Sequence, residues 1–207
     1  MTNPLLSISV VTYNHEKYIN KCIDSLLMQK TNFDFEIILG EDNSTDNTRS
    51  ICKKYQDLYP NKIRLFLRSR DDVIYINGKP TGRFNFISNL SKAKGKYIAL
   101  CEGDDYWIDK NKLQKQVDFL ESNPEYSICF HNVKIYNQNI KKLQEDKITR
   151  EVSETTNIED LATRNFIHTT SVVLKNNFIL PKWFNKPLYG DWTLYMIAIK
   201  DKKIKKI

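Results

Sequence analysis

The chain has 207 residues, 41% of them hydrophobic and 12% aromatic, enough for one domain with a substantial core. Its formal net charge is +7, but the lysines are spread along the chain rather than interleaved with aromatics, and no zinc-finger or RNA-recognition signature is present, so nucleic acid is not an expected partner. No stretch reaches the roughly 20 apolar residues of a bilayer-spanning helix, Met1 to Leu6 lacks the character of a secretory signal, and Cys22, Cys52, Cys101 and Cys129 form no Cys-x-x-Cys pair, which together point to the cytoplasm and reduced core thiols.

In chain order, Leu5 to Thr12 is a β-branched apolar run of strand length, followed by Tyr13-Asn14-His15. Tyr18, Ile19, Cys22, Ile23, Leu26 and Leu27 recur at helical spacing, with Asn14 as a candidate N-cap. Phe35 to Leu39 reads as a second buried strand ending in Gly40-Glu41-Asp42-Asn43, and Ser44-Thr45-Asp46 opens a helix that stops before Pro60. Lys62 to Arg68 is the third strand. Residues 69–82 read as an insertion, with Asn77-Gly78 suggesting a hairpin turn. Phe84, Ile87 and Leu90 mark a short helix, and Asp109 caps a later one through Leu113, Val117 and Leu120. Tyr126 to Tyr136 and Phe166 to Leu174 read as strands, residues 137–165 as a polar, mobile connection, and Asp191 to Lys200 as a helix. The basic C-terminus, residues 200–207, reads as a solvated face able to lean on anionic lipid headgroups.

Four alternations of strand and helix predict an α/β fold, a mostly parallel sheet with helices on both faces in a single domain. Crossovers in such a sheet are right-handed, so Thr12-Tyr13, Glu41-Asp42 and Asp104-Asp105 converge at the strand ends where ligands bind. The segment between Lys96 and Trp107 is the most telling. An apolar strand there stops on Glu102-Gly103-Asp104-Asp105, and carboxylates collected at a strand end repel one another unless a hard cation such as Mg²⁺ or Mn²⁺ offsets them.

These motifs resemble those of the family 2 glycosyltransferases, inverting enzymes with the GT-A fold. Ser7 to Asn14 looks like that family's first strand, Gly40 to Thr48 like its second-strand signature with Glu41 where many members have aspartate, and Glu102-Gly103-Asp104-Asp105 like its metal-binding acidic motif. The resemblance implies that Thr12, Tyr13, Asn14, Asp42, Arg83 and Asp104 hold the nucleotide, a pyrimidine such as uracil with its ribose and diphosphate. It implies that Asp105, assisted by Asp104, binds Mn²⁺ or Mg²⁺. Gly190-Asp191-Trp192 resembles the element that supplies the catalytic base, Asp191, while His168, Trp107 and Trp192 match positions around the sugar and acceptor. A helix-capping role for Asp191 is the simpler alternative.

The function that follows is transfer of a sugar from a nucleotide diphosphate, a UDP-sugar, to an acceptor hydroxyl with inversion. Residues 1–125 then form the nucleotide-sugar half and residues 126–207 the acceptor and base half of one domain, in a family whose members usually continue further. The acceptor is a carbohydrate or lipid-linked oligosaccharide, handled in the cytoplasm or at the inner face of the membrane. A nucleotidyltransferase would want a glycine-rich phosphate loop where Thr12-Tyr13-Asn14-His15 stands. A haloacid-dehalogenase-like phosphatase would place its paired aspartates after the first strand. A sugar-nucleotide-binding module without activity is the alternative from a different class.

Overall fold

A computed structural model describes residues 3–149 and 151–207. The chain runs β1 (Leu6–Thr12), α1 (Ile19–Leu27), β2 (Phe35–Glu41), α2 (Thr48–Leu58), β3 (Ile63–Leu67), the β4–β5 hairpin (Ile74–Ile76 and Lys79–Thr81), α3 (Arg83–Lys92), β6 (Tyr97–Glu102), α4 (Lys112–Ser122) and β7 (Tyr126–Phe130). It continues through the β8–β9 hairpin (Ile135–Asn137 and Lys142–Gln144), β10 (Thr155–Thr156), α5 (Ile158–Thr163), β11 (Val173–Lys175), α6 (Gly190–Ile199) and β12 (Lys203–Lys206).

The main sheet has the order β10-β12-β7-β11-β6-β1-β2-β3. Strands β1, β2, β3 and β6 are parallel, as are β7 and β12, whereas β11 enters antiparallel between β6 and β7. This is a single α/β domain with a mostly parallel sheet. The alternation of side chains divides its core into two layers. Along β6, Tyr97, Ala99 and Cys101 pack with Ile19, Cys22, Leu113 and Val117 from α1 and α4, while Ile98 and Leu100 face Leu90, Leu161 and Leu194 from α3, α5 and α6. The chain leaves β1 towards β2 and β3 and returns to β6 on the other side, so the topological switch lies between β1 and β6.

Several local expectations change. The Tyr126 to Tyr136 strand divides into β7 and β8, and β8 leaves the sheet to pair with β9. Residues 137–165 carry β9, β10 and α5, the last closed by a reciprocal capping box between Asn157 and Asp160. Phe166 and Ile167 are buried without joining a strand; the strand starts at Val173, after a 3₁₀ turn. Asn14 does not cap α1, which begins at Ile19, and Asp109 lies outside α4, its carboxylate accepting from Asn111 N at 2.8 Å. The basic C-terminus is a sheet strand: Ile204 is fully buried, Lys205 pairs with Glu154, and Lys206 Nζ donates to Thr149 O. Two of the lysines offered to lipid therefore have protein partners. Among the described residues, no helix is long and apolar enough to cross a membrane.

Candidate active site

Three strand ends are pinned together at the switch. Asp42 N donates to Thr12 O (3.0 Å) and Gly103 N to Val11 O (2.9 Å). A Cβ on Gly103 would lie 2.4 Å from Thr12 Oγ1 and 2.8 Å from His15 Nδ1, so only glycine lets the acidic loop close on β1. Thr12 is thereby a buried part of the frame, with its hydroxyl 3.3 Å from His15 Nδ1.

Tyr13 stands half-exposed beside Asp42, which is buried. Between them lies Arg70, from the segment that reads in sequence only as an insertion. Its Nη1 donates to Asp42 Oδ2 at 2.7 Å, and its guanidinium stacks 4.6 Å from the centre of the Tyr13 ring. Burial pushes the Asp42 carboxyl up, and Arg70 opposes that shift. Asn14 is engaged differently from Tyr13. It adopts a left-handed φ of 54° and its Oδ1 accepts from Thr45 N at 2.8 Å, tying the loop after β1 to the loop after β2. Glu41 is structural as well: it is fully buried, accepts from Ser44 N and forms a short ion pair with Arg49.

The carboxylates at the end of β6 and in the loop after it lie within electrostatic reach of one another. Asp105, partly buried, is pushed up to about 6 by burial and then by Asp104, with His168 opposing. Glu102 keeps a solvent-facing edge, yet enclosure by its surroundings, followed by the charges of Asp105, Asp104 and Asp191, pushes it up to about 7. His15 Nε2 lies 4.0 Å from Asp104 Oδ2. Among the described residues no group of three or more His, Cys, Asp or Glu side chains forms a cage for a metal. Two adjacent hard-oxygen donors with little countercharge do suit a cation that completes its shell with diphosphate oxygens and water.

Asp191 occupies the second position of α6, whose N-cap is Tyr189 without a side-chain cap bond. The capping role is therefore not the one it plays. Asn165 Nδ2 donates to Asp191 Oδ2 at 3.2 Å, and the two line a cleft of about 340 Å³ with His168, Thr169, Tyr189 and Trp192. His168 Nε2 lies 3.0 Å from Asp146 Oδ1, and Trp192 Nε1 donates to Leu161 O. Trp107 is 4% exposed and donates to Thr170 O, so it serves as core wall more than as a contact surface.

Arg83 spends its donors on another loop. Its guanidinium is buried and donates to Phe184 O (2.9 Å), Pro187 O (3.0 Å) and Leu188 O (3.4 Å), clamping the loop that leads into Asp191. A Cβ on Gly190 would lie 2.7 Å from Arg83 Cζ, which shows how closely the clamp meets the start of α6. The arginine at the Tyr13–Asp42 pair is Arg70. A basic residue in the loop after the third strand was the available signal, since that loop opens on the same sheet edge.

The profile described as Glycosyl transferase family 2 matches residues 7–178. The chain is 39% identical over 197 residues to the uncharacterised Mycobacterium tuberculosis protein Rv1520, covering 92% of this chain and 53% of that one. It is 33% identical over 122 residues to the putative teichuronic acid biosynthesis glycosyltransferase TuaG of Bacillus subtilis, covering 58% and 44%. Among solved structures, S. aureus TarS 1-349 in complex with UDP-GlcNAc superposes with a TM-score of 0.67 at 22% identity, over 98% of this chain and 55% of that one. The mannosyltransferase PcManGT from Pyrobaculum calidifontis, in complex with GDP-Man and Mn²⁺, gives 0.65 at 15% identity over 100% and 55%. The chain spans about half the length of Rv1520. With a matching profile over most of its length, on a sheet shared with GT-A glycosyltransferases, the chain belongs to glycosyl transferase family 2.

Proposed function

We propose that this chain carries the donor site and catalytic base of a glycosyltransferase that moves a sugar from a nucleoside diphosphate to an acceptor hydroxyl with inversion at the anomeric carbon. The observation that carries the reading is the meeting of Tyr13, Asp42 and Arg70 at the same sheet edge as Asp104, Asp105 and Asp191. A uracil base stacks on the Tyr13 ring and gives its imide N–H to Asp42. In that arrangement Arg70 leaves the face of Tyr13 and its planar fork turns to the diphosphate. Asp105, with Asp104, holds Mg²⁺ or Mn²⁺ on the diphosphate, a cation that supplies neutralisation of the departing charge. Asp191, oriented through one oxygen by Asn165, keeps the other for the proton of the acceptor hydroxyl. His168 and Trp192 border the same cleft and are placed against sugar or acceptor.

The solved neighbours bind UDP-GlcNAc and GDP-Man, and TuaG is named for teichuronic acid synthesis. The UDP-GlcNAc complex supports a UDP-sugar donor and the name of TuaG a cell-surface polysaccharide acceptor; handling at the cytoplasmic face of the membrane belongs to the same proposal. The test is a thermal-shift panel of UDP-, GDP- and CDP-sugars with and without Mn²⁺, joined to release of free nucleoside diphosphate. A donor at a hundred times its dissociation constant raises stability by roughly 2.7 kcal/mol. Stabilisation by UDP-sugars and Mn²⁺ together supports the proposal. No stabilisation by any nucleotide sugar refutes it, and binding without release in Asp191→Asn and parent alike leaves a binding module in its place.

A further inference from the structure

Beside the acidic loop lies a groove of about 1160 Å³, lined by Asp104 and Asp105 at one end and by the β8–β9 hairpin at the other. Tyr13, Asp42 and Arg70 take no part in its lining, so it adjoins the proposed donor site at Asp104 and Asp105 and runs away from the base-binding residues. The hairpin is tied to the opposite wall by Tyr18, whose hydroxyl donates to Gln138 Oε1.

The charge of the groove is uneven. Lys112, at the start of α4, is 4% exposed, yet no carboxylate pairs with it among the described residues. Its ammonium donates to Gln116 Oε1 at 2.8 Å and lies 4.1 Å from the centre of the Trp107 ring. An ammonium has three donors, so this one is both buried and short of acceptors, and burial pushes it down to about 7. On the rim, Lys17, Lys134 and Lys141 carry no ion pair among the described residues, while Lys21 lies 3.6 Å over the ring of Tyr106. Among the described residues that line the groove, Lys115 is the lysine with a carboxylate partner, Asp109 at 2.8 Å. A buried amine without a counterion, which an anionic ligand would hold in its charged form, the unpaired rim lysines and the aromatic rings form a surface complementary to a chain that alternates anionic groups with sugar or polyol units.

We propose that this groove seats an anionic acceptor, a glycan or polyol chain whose phosphodiester or carboxylate groups meet Lys112 and the rim lysines. Its hydroxyl end passes Asp104 and Asp105, which close the groove, towards the cleft that holds Asp191. Calling the ligand an acceptor rests on the transferase reading; the binding of an anionic chain does not.

Binding is measured by titration calorimetry with three probes: a glycerol phosphate hexamer, hexagalacturonate and the neutral maltohexaose, each at low and high salt. One or both anionic oligomers bind at least tenfold more tightly than maltohexaose, and which one binds identifies phosphodiester or carboxylate. Lys112→Met keeps the volume and removes the charge, and it weakens that oligomer at least tenfold. Lys134→Glu combined with Lys141→Glu, both exposed and tolerant of change, weakens it severalfold and flattens its salt dependence. UDP-sugar affinity, measured in the same samples, stays within twofold. Maltohexaose binding as tightly as both anionic probes, no binding of either, or unchanged affinity in folded Lys112→Met and in the rim variant overturns the proposal. Loss of UDP-sugar binding in the parent overturns the transferase reading instead, so the two failures are separable.

Discussion

Replacing Arg83 separates the two roles that an arginine ahead of the third helix can have. In the structure it donates three hydrogen bonds to carbonyls of the loop before Asp191, at 2.9, 3.0 and 3.4 Å, from a side chain that is 7% exposed. Hydrogen bonds involving a charged partner contribute about 1.5 to 3 kcal/mol each. The third is long, and holding a guanidinium out of water costs part of the gain, as its lowered pKa records. A net loss of about 3 kcal/mol is therefore expected for Arg83→Met, which for a chain of this size lowers Tm by roughly 6 to 12 °C. The loop it clamps carries Asp191, so kcat falls while UDP-sugar affinity stays within about twofold. Arg83→Lys, a point charge that reaches one carbonyl at a time, recovers part of the stability and little of the geometry. Chemical denaturation, calorimetric UDP titration and turnover on the same samples give the answer. A tenfold loss of UDP-sugar affinity with unchanged Tm refutes the clamp and returns Arg83 to the phosphates, the role its sequence position suggests.

The other predictions concern the strand ends. Asp42→Ala removes an acceptor from a buried site and weakens UDP and UDP-sugar alike by about 1 to 3 kcal/mol; equal affinity of variant and parent refutes the base contact. Arg70→Ala strips the cation from Tyr13 and Asp42 together, so it weakens UDP more than uridine, and an equal effect on both ligands would assign Arg70 to the base alone. Asp105→Asn abolishes the Mn²⁺ dependence of donor binding while the chain stays folded, and retained dependence refutes the metal assignment. The same variant tests pH linkage. Asp105 and Glu102 are raised to about 6 and about 7, above their unfolded values, so each favours the fold fully below pH 4 and loses that contribution as pH rises towards 7. His131, lowered to about 4, works in the opposite sense over part of that window. The reading is therefore a difference: without metal, Asp105→Asn gains stability relative to the parent between pH 4 and 6, and parallel curves refute the coupling.

The frame of the site was legible because its strands are continuous apolar runs whose ends carry the polar residues. Leu5 to Thr12, Phe35 to Leu39 and the run after Lys96 all form strands, and their order puts Thr12, Asp42 and Asp104 at one edge. The Asn77-Gly78 turn was legible too, since both residues take positive φ, 50° and 74°, as a tight hairpin needs. Arg70 was not, because nothing periodic marks it and its partners Tyr13 and Asp42 are distant in sequence. The extent and direction of β11 escaped for a related reason: the strand read over Phe166 to Leu174 shortens to Val173–Lys175, antiparallel and specified by neighbours on β6 and β7. Lys203–Lys206 reads as a solvated run because one apolar residue among lysines carries little signal, yet Ile204 alone fills the core while the lysines find partners at the edge.

Charge placement around the switch argues that stability is not what the acidic loop serves. Buried carboxylates elsewhere in the chain have cationic partners: Glu36 meets Arg64, Glu41 meets Arg49 and Asp42 meets Arg70. Around Glu102 and Asp105 the pattern reverses: the charges of Asp105, Asp104 and Asp191 raise Glu102, and that of Asp104 raises Asp105. Arg83, the basic side chain near Asp191, turns its donors to backbone carbonyls, and His168 turns its Nε2 to Asp146. A fold selected for stability alone would pair or replace such a cluster, because like charges at close range in a partly enclosed site repel by more than the roughly 1 kcal/mol they would in water. These carboxylates stand at the strand end that pairs with β1, the strand leading to Tyr13. On the proposed function, a donor bringing both a diphosphate and its cation there would relieve the repulsion, and donor binding and folding would be linked through the same charges.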